Sequence, residues 1–272
     1  MKHFKKLTYP YVLWSALMIV IPLILIAIYA FTTDGNTVKT LNFTGENFAR
    51  IMEPTYLNVF WKSIKMGVIT TFICLLVGYP LAYMISRCRE EVQGLLILAV
   101  TIPTWINMLL RTYAWMNLLA DNGIINHLLT KLGLDPLKMM YTDFSVILGM
   151  VCNFLPFMII PIHTALSKMD HSLIEAAMDL GANKVQTFRK IILKLSMPGV
   201  WNGCMMVFLM SISAFVIPKL LGGGQYVLIG NLIETQFISV GDWNFGSAIS
   251  LLLAAVILVF MMIMKKMDAK DD

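Results

Sequence analysis

Glu175-Ala176-Ala177-Met178-Asp179-Leu180-Gly181, running on to Arg189-Lys190-Ile191-Ile192-Leu193, is the one long, strongly charged segment standing between membrane-length apolar runs. Its grammar is helix, elbow, helix. Asp170 can accept hydrogen bonds from the orphan N–H groups of a helix over 171–180. Gly181 is placed to end that helix in a left-handed C-cap. Asn183 and Gln186 have the spacing of a capping box for a second helix, predicted to run through Lys194 toward Pro198. Leu173, Ala176, Ala177 and Leu180 recur at intervals of three and four and form one small, apolar face, on which alanines let another backbone come close. An amphipathic helix lying on the membrane surface has a similar pattern. A span-to-span connection needs only a few residues, so the length and the caps favour a docking surface.

Outward from this segment the chain is apolar. Hydrophobic residues make up 58% of the 272, charged residues only 14%, and the mean hydropathy is +0.75. Soluble domains carry about 25% charged residues. A chain of this kind belongs in a bilayer, where backbone polar groups must be satisfied inside helices or a closed barrel. The apolar runs are continuous rather than alternating, which selects helices. Six spans are predicted, over 11–31, 65–85, 95–120, 144–166, 199–221 and 245–264. The first reads as a retained anchor, since it lacks a small-residue cleavage pattern.

Lys and Arg placement orients the spans. Lys2, Lys5 and Lys6 precede the first, and Arg87 and Arg89 follow the second. Lys168, Lys184, Arg189, Lys190 and Lys194 lie between the fourth and fifth, and Lys265, Lys266 and Lys270 follow the sixth. With six spans all of these share one side, which is therefore the cytoplasm, and both termini are inside. The net charge of +5 is a topology signal; the charges form no patch for a nucleic acid. The expectation is one all-α integral membrane domain over 1–272, with a cytoplasmic insert over 167–198 and no soluble domain. Cys74, Cys88, Cys152 and Cys204 fall in or beside spans without CxxC spacing, so structural thiols are expected. The scattered methionines read as filler. His3, His127, His163 and His171 form no metal pattern, and no metal site is expected.

Glu175-Ala176-Ala177, then Gly181 and Ile191-x-Leu193, resembles the EAA loop of permease subunits from bacterial ABC importers. One position departs: the family usually places proline where Lys194 stands, which leaves the local bend open. Nearly the whole chain is similar to the permeases of spermidine/putrescine systems. The stretches that carry this are Pro103-x-Trp105-x-Asn107, Leu110-Arg111-x-Tyr113, Leu155-Pro156-Phe157-Met158, Gly222-Gly223, Leu228-Ile229-Gly230-Asn231, Gln236-Phe237 and Asp242-Trp243-x-Phe245-Gly246. Importers of iron and other small solutes share parts of them. The resemblance implies a type I ABC importer permease fold in the bacterial cytoplasmic membrane. It also implies a second similar permease, a pair of ATPase subunits and an extracytoplasmic binding protein as partners.

There is no GxxxxGK[ST] phosphate loop, so the chain is not expected to hydrolyse ATP, and ATP with magnesium would be bound by the partner ATPase. No cofactor and no catalytic residue are expected in this chain. What the resemblance implies for the insert is a helix seated in a groove of the ATPase: Ala176 and Ala177 pack, Glu175 pairs with a basic residue or caps N–H groups, Asp179 and Leu180 complete the surface, and Gly181 turns the chain. Arg111 is the one cation deep in a span. It is expected to be structural, paired with a neighbouring span or a helix C-terminus or placed near the outer interface, and a poor ligand for a polyamine, which it would repel. No span carries an acidic residue at its middle. Carboxylates and aromatic faces suit ammonium groups, which makes Tyr226, Glu234, Phe237, Asp242 and Trp243 of the last external loop candidates for the delivery site. Trp105, Asn107 and Tyr113 are candidates for the path, although Trp105 and Tyr113 also fit an interfacial belt. Gly222-Gly223-Gly224 could hinge an external gate or simply break the fifth span. An intramembrane enzyme is the rival class, with only Arg111 and His163 to offer polarity within spans. A secondary transporter would need midplane carboxylates that are not visible.

Overall fold

A computed structural model describes residues 2–33, 42–224 and 226–271, the side chains of 2–9, 171 and 267–271 excepted. In chain order the helices are α1 (Lys2–Ala30), α2 (Glu46–Ile51), α3 (Pro54–Ser86), α4 (Glu90–Trp105), α5 (Met108–Leu119), α6 (Ile124–Lys131), α7 (Asp143–Ser167), α8 (His171–Asp179), α9 (Lys184–Thr187), α10 (Leu193–Ile212), α11 (Val216–Leu221), α12 (Ile229–Glu234) and α13 (Trp243–Asp271). Among the described residues five segments are long and apolar enough to cross a membrane: Pro10–Ala30, Pro54–Ser86, Asp143–Ser167, Lys184–Ile212 and Trp243–Lys266. A sixth is a bent pair, Glu90–Trp105 with Met108–Lys131.

Two of the predicted spans need correction. The third, expected over 95–120, is broken by 88° between α4 and α5. Pro103 removes one helical donor, Ile106 is extended, and the Asn107 side chain accepts from Leu109 N at 2.8 Å to start a new helix. Pro103-x-Trp105-x-Asn107 is thus the break itself. The fifth, expected over 199–221, lies on a continuous helix from Lys184 to Ile212, so its outer end comes at Ile212 and the helix begins already in the insert. Its amphipathic beginning lowers the local hydropathy, and at the far end Ser213 and Ala214 end the helix. Gly230 of α12 lies against their carbonyls, where a Cβ would come within 2.6 Å of the Ser213 oxygen.

The chain divides into two compact units. The first is Met1–Phe60 with Leu232–Val256. The terminal carbonyls of α1 lack helical partners, and two asparagines meet them. Asn47 Nδ2 donates to Ala30 O and Thr32 O at 3.1 and 3.0 Å, and Asn244 Nδ2 to Tyr29 O and Thr32 O at 3.0 and 2.7 Å.

The second unit is Trp61–Asn231 with Ile257–Asp272. Its centre is the pairing of α7 with α10. Gly199 and Gly203 stand one helical turn apart on α10; a Cβ on Gly199 would lie 2.6 Å from Pro161 O, and one on Gly203 2.8 Å from Met158 Sδ. Small residues at this spacing let helices approach where no hydrophobic force drives association in lipid. Met158, fully buried, also lies against Gly78 of α3. The Leu155–Met158 stretch is therefore a packing knob. Tyr79 of α3 and Ser196 of α10 share a hydrogen bond of 2.9 Å.

Candidate functional site

The insert forms as its caps dictate. Asp170 accepts from Ser172 N at 2.9 Å and opens α8. At the other end Gly181 N donates to Met178 O and Ala182 N to Ala177 O, at 2.9 and 3.0 Å. This is a Schellman pair, with Gly181 at φ +85, a conformation that costs other residues about 1–2 kcal/mol. Asn183 and Gln186 exchange both capping-box bonds, at 2.9 and 3.0 Å.

From Thr187 the chain enters a π-helical turn, Phe188–Ile192, in which Leu193 N reaches back to Phe188 O. Such bulges recur at functional sites. The helix passes through Lys194 and Pro198 without stopping, so the missing proline at Lys194 makes no break. The irregularity lies one turn earlier, in the bulge.

Ile174, which sequence reasoning passed over, is the inward anchor of α8 at 6% exposure. Leu173, Ala176, Met178 and Leu180 face outward with Glu175 and Asp179, Leu180 at 89% exposure, while Ala177 is half-buried. Glu175 and Asp179 enter no ion pair among the described residues. Beneath them Phe188 meets Tyr83 and Tyr79 of α3 edge-on, with ring centroids 5.4 and 6.0 Å away. Ile192, buried, completes the joint. The insert is thus an exposed apolar ledge fixed to the spans by one aromatic cluster.

The path candidates of the second unit lie at the α4–α5 break and on α5. Trp105 is 73% exposed beside the α4–α5 break, and Tyr113 is exposed on α5. Asn107 is occupied as the cap of α5. The Nε and Nη1 of Arg111 are buried without an acceptor among the described residues.

In the first unit, both oxygens of Asp242 are taken. Oδ2 accepts from Arg50 at 2.9 Å, and Oδ1 from Phe245 N at 2.9 Å. The Arg50 guanidinium lies 4.0 Å from the centre of the Phe245 ring. Burial lowers the Arg50 pKa, but the bond and charge of Asp242 more than offset it, and the net shift is upward. Phe237 and Trp243 pack edge-on at 5.6 Å, with Glu234 one turn before Phe237. These residues read as a clamp that holds the start of α13. Arg50 was missed because it lies 192 positions from Asp242.

Tyr226 belongs to the second unit and is buried, 6% exposed. Lys62 of α3 places its Nζ 3.5 Å from the ring centre. Burial and, after it, the neighbouring Asp143 carboxylate raise the Tyr226 pKa.

The family model for the binding-protein-dependent transport system inner membrane component matches residues 1–270. Among curated proteins, the chain is 38% identical to the spermidine/putrescine transport system permease protein PotB of Haemophilus influenzae, over 99% of this chain and 97% of that one. It is 39% identical to PotB of Escherichia coli, over 89% and 90%. Among solved structures, a chain of the bacterial alginate ABC transporter, in complex with a periplasmic protein bound to alginate pentasaccharide, superposes with a TM-score of 0.81 at 15% identity, covering 98% of this chain and 94% of that one. A chain of the inward-facing MetNI methionine ABC transporter superposes with a TM-score of 0.58 at 18% identity, over 78% and 94%. The helical spans and the near-complete family match agree: the chain belongs to the inner membrane components of binding-protein-dependent transport systems.

Proposed function

We propose that this chain is the permease subunit of an ATP-driven polyamine importer, forming half of the translocation path for spermidine or putrescine. The observation that carries the reading is 38% identity sustained over 99% of the chain to a spermidine/putrescine permease. Likeness over this length includes the path-forming helices, the insert and the outer loops together.

The insert supplies the mechanism. A separate ATPase pair binds ATP and magnesium, and α8 sits in a groove of that ATPase. Leu180 and Ala176 bury their apolar surface there, Glu175 meets a basic residue, and Asp179 lies at the rim. Burying a leucine is worth about 1.5–3 kcal/mol, enough for Leu180 to dominate so small a contact. Gly181 keeps α8 and α9 at a fixed angle, so displacement of α8 reaches the spans through Phe188 and its contacts on Tyr79 and Tyr83. A second, similar permease completes the path, and an extracytoplasmic binding protein delivers the substrate. ATP then biases a two-state equilibrium by binding one state better.

Trp105, Asn107, Tyr113, Tyr226, Glu234, Phe237, Asp242 and Trp243 are assigned to the path or its outer gate, with Asp242 and Asn107 acting through the segments they hold. The test is the ATPase activity of the reconstituted complex. It should rise when binding protein loaded with spermidine or putrescine is added. A rise with iron or another solute alone, and none with polyamines, overturns the substrate.

A further inference from the structure

Lys62 lies near the start of α3 and Asp143 at the start of α7, and Tyr226 follows α11; the orientation of the basic residues puts all three at the outer end of their spans. An ammonium is strongly hydrated. At an outer interface Lys62 could extend into water. Its Nζ is instead held 3.5 Å over the Tyr226 ring. The Tyr226 hydroxyl is buried and closes no hydrogen bond of ordinary geometry among the described residues, and the Asp143 carboxylate beside it is its nearest acceptor in charge.

The surroundings are built to hold this ring. A Cβ on Gly222 would come 2.3 Å from the Tyr226 Cβ. Gly223, at φ +74, leaves room for the Tyr141 ring, which a Cβ would meet at 2.5 Å. Tyr141 has φ 62, rare for a non-glycine residue, and its N–H donates to Leu221 O at 3.1 Å. Strain of this kind gathers at functional sites. The Ser63 hydroxyl, next to Lys62, accepts from Ile229 N at 2.8 Å and sets α3 against the loop that carries Tyr226.

We propose that Tyr226 and Asp143 form a seat for a primary alkylammonium group, and that Lys62 fills it from within the chain until an incoming ammonium displaces it. A lysine is an alkyl stem with a primary ammonium, the same chemistry as the end of a diamine. The face of Tyr226 supplies cation–π attraction, its hydroxyl oxygen can accept an N–H, and Asp143 supplies negative charge. The identity of the incoming ammonium rests on the polyamine reading; the seat itself does not.

The experiment is equilibrium binding of labelled spermidine to the purified complex of this chain with its partner permease and ATPase, without binding protein. Removing the tethered cation while keeping its stem, Lys62→Met, should tighten binding about fivefold, the order of one ammonium–ring contact. Lys62→Arg keeps a cation on the ring and should stay within about twofold of the wild type. Tyr226→Phe should keep most of the gain in the Lys62→Met background, and Tyr226→Leu should abolish it. An equal gain with Tyr226→Leu, or none with Lys62→Met, overturns the seat. Pentylamine is the second probe, because one ammonium is all the seat needs. A complex that moves no polyamine but gains pentylammonium binding on Lys62→Met loses the substrate assignment and keeps the seat. One that transports spermidine with no gain in either probe keeps the assignment and loses the seat.

Discussion

At its cytoplasmic end the chain turns apolar side chains outward on a preformed helix; at its outer end it turns a lysine inward onto a tyrosine. Leu180 stands in the open while Tyr226 is covered by a residue of the same chain. The first surface presents its apolar side chains outward. The second is closed and complete by itself, and must open to act. This asymmetry fits a machine driven from one side. In the proposed machine the cytoplasmic ledge meets the motor, and the outer seat exchanges its intramolecular contact for a substrate.

The contrast breaks most sharply at Gly181. Gly181→Leu forces a side chain into φ +85, costing about 1–2 kcal/mol at the elbow, and it tilts α8 away from its seat. Uptake should fall at least tenfold and the ATPase should be lost on purification, while the chain still inserts. Normal uptake in this variant sinks the docking role.

Phe188→Ala separates docking from transmission. The ledge keeps its caps, so the ATPase should still copurify and hydrolyse ATP. Uptake per ATP should drop several-fold, because the half-buried ring is the link to Tyr79 and Tyr83. A parallel loss of hydrolysis would place Phe188 in the docking surface instead.

The smallest effect is expected at the clamp of the first unit. Asp242→Asn removes the charge facing Arg50 but keeps an oxygen for Phe245 N. A partly exposed ion pair is worth about 1 kcal/mol or less. The melting temperature should fall by a few degrees and uptake by less than threefold. A tenfold rise in half-saturating polyamine would mean that Asp242 meets substrate directly.

The same two ends differ in what could be read from the chain alone. Every cap of the insert acts over two to five residues, so Asp170, Gly181, Asn183 and Gln186 were legible from their spacing. Ile174 was not, because a helix with apolar residues on two faces does not say which one anchors it. Hydropathy saw six spans yet read through the break at Asn107, since Trp105, Ile106, Met108 and Leu109 on either side remain apolar. It also placed the fifth span too late, because its first turns are amphipathic. The pairs Lys62–Tyr226 and Arg50–Asp242 join distant segments, and nothing local announces them. Two of the stretches that carry the family resemblance act as packing devices: Met158 lies against two glycines, and Asp242 caps α13.

The central claim is that the outward face of α8 is covered by an ATPase. Thiol labelling at position 180 tests it directly, in a Leu180→Cys chain whose exposed Cys88 is replaced by serine. A membrane-impermeant maleimide, applied from the cytoplasmic side, should label the Leu180→Cys thiol rapidly in the chain without its ATPase and at least tenfold more slowly in the assembled complex. Equal labelling rates in the two states would contradict it.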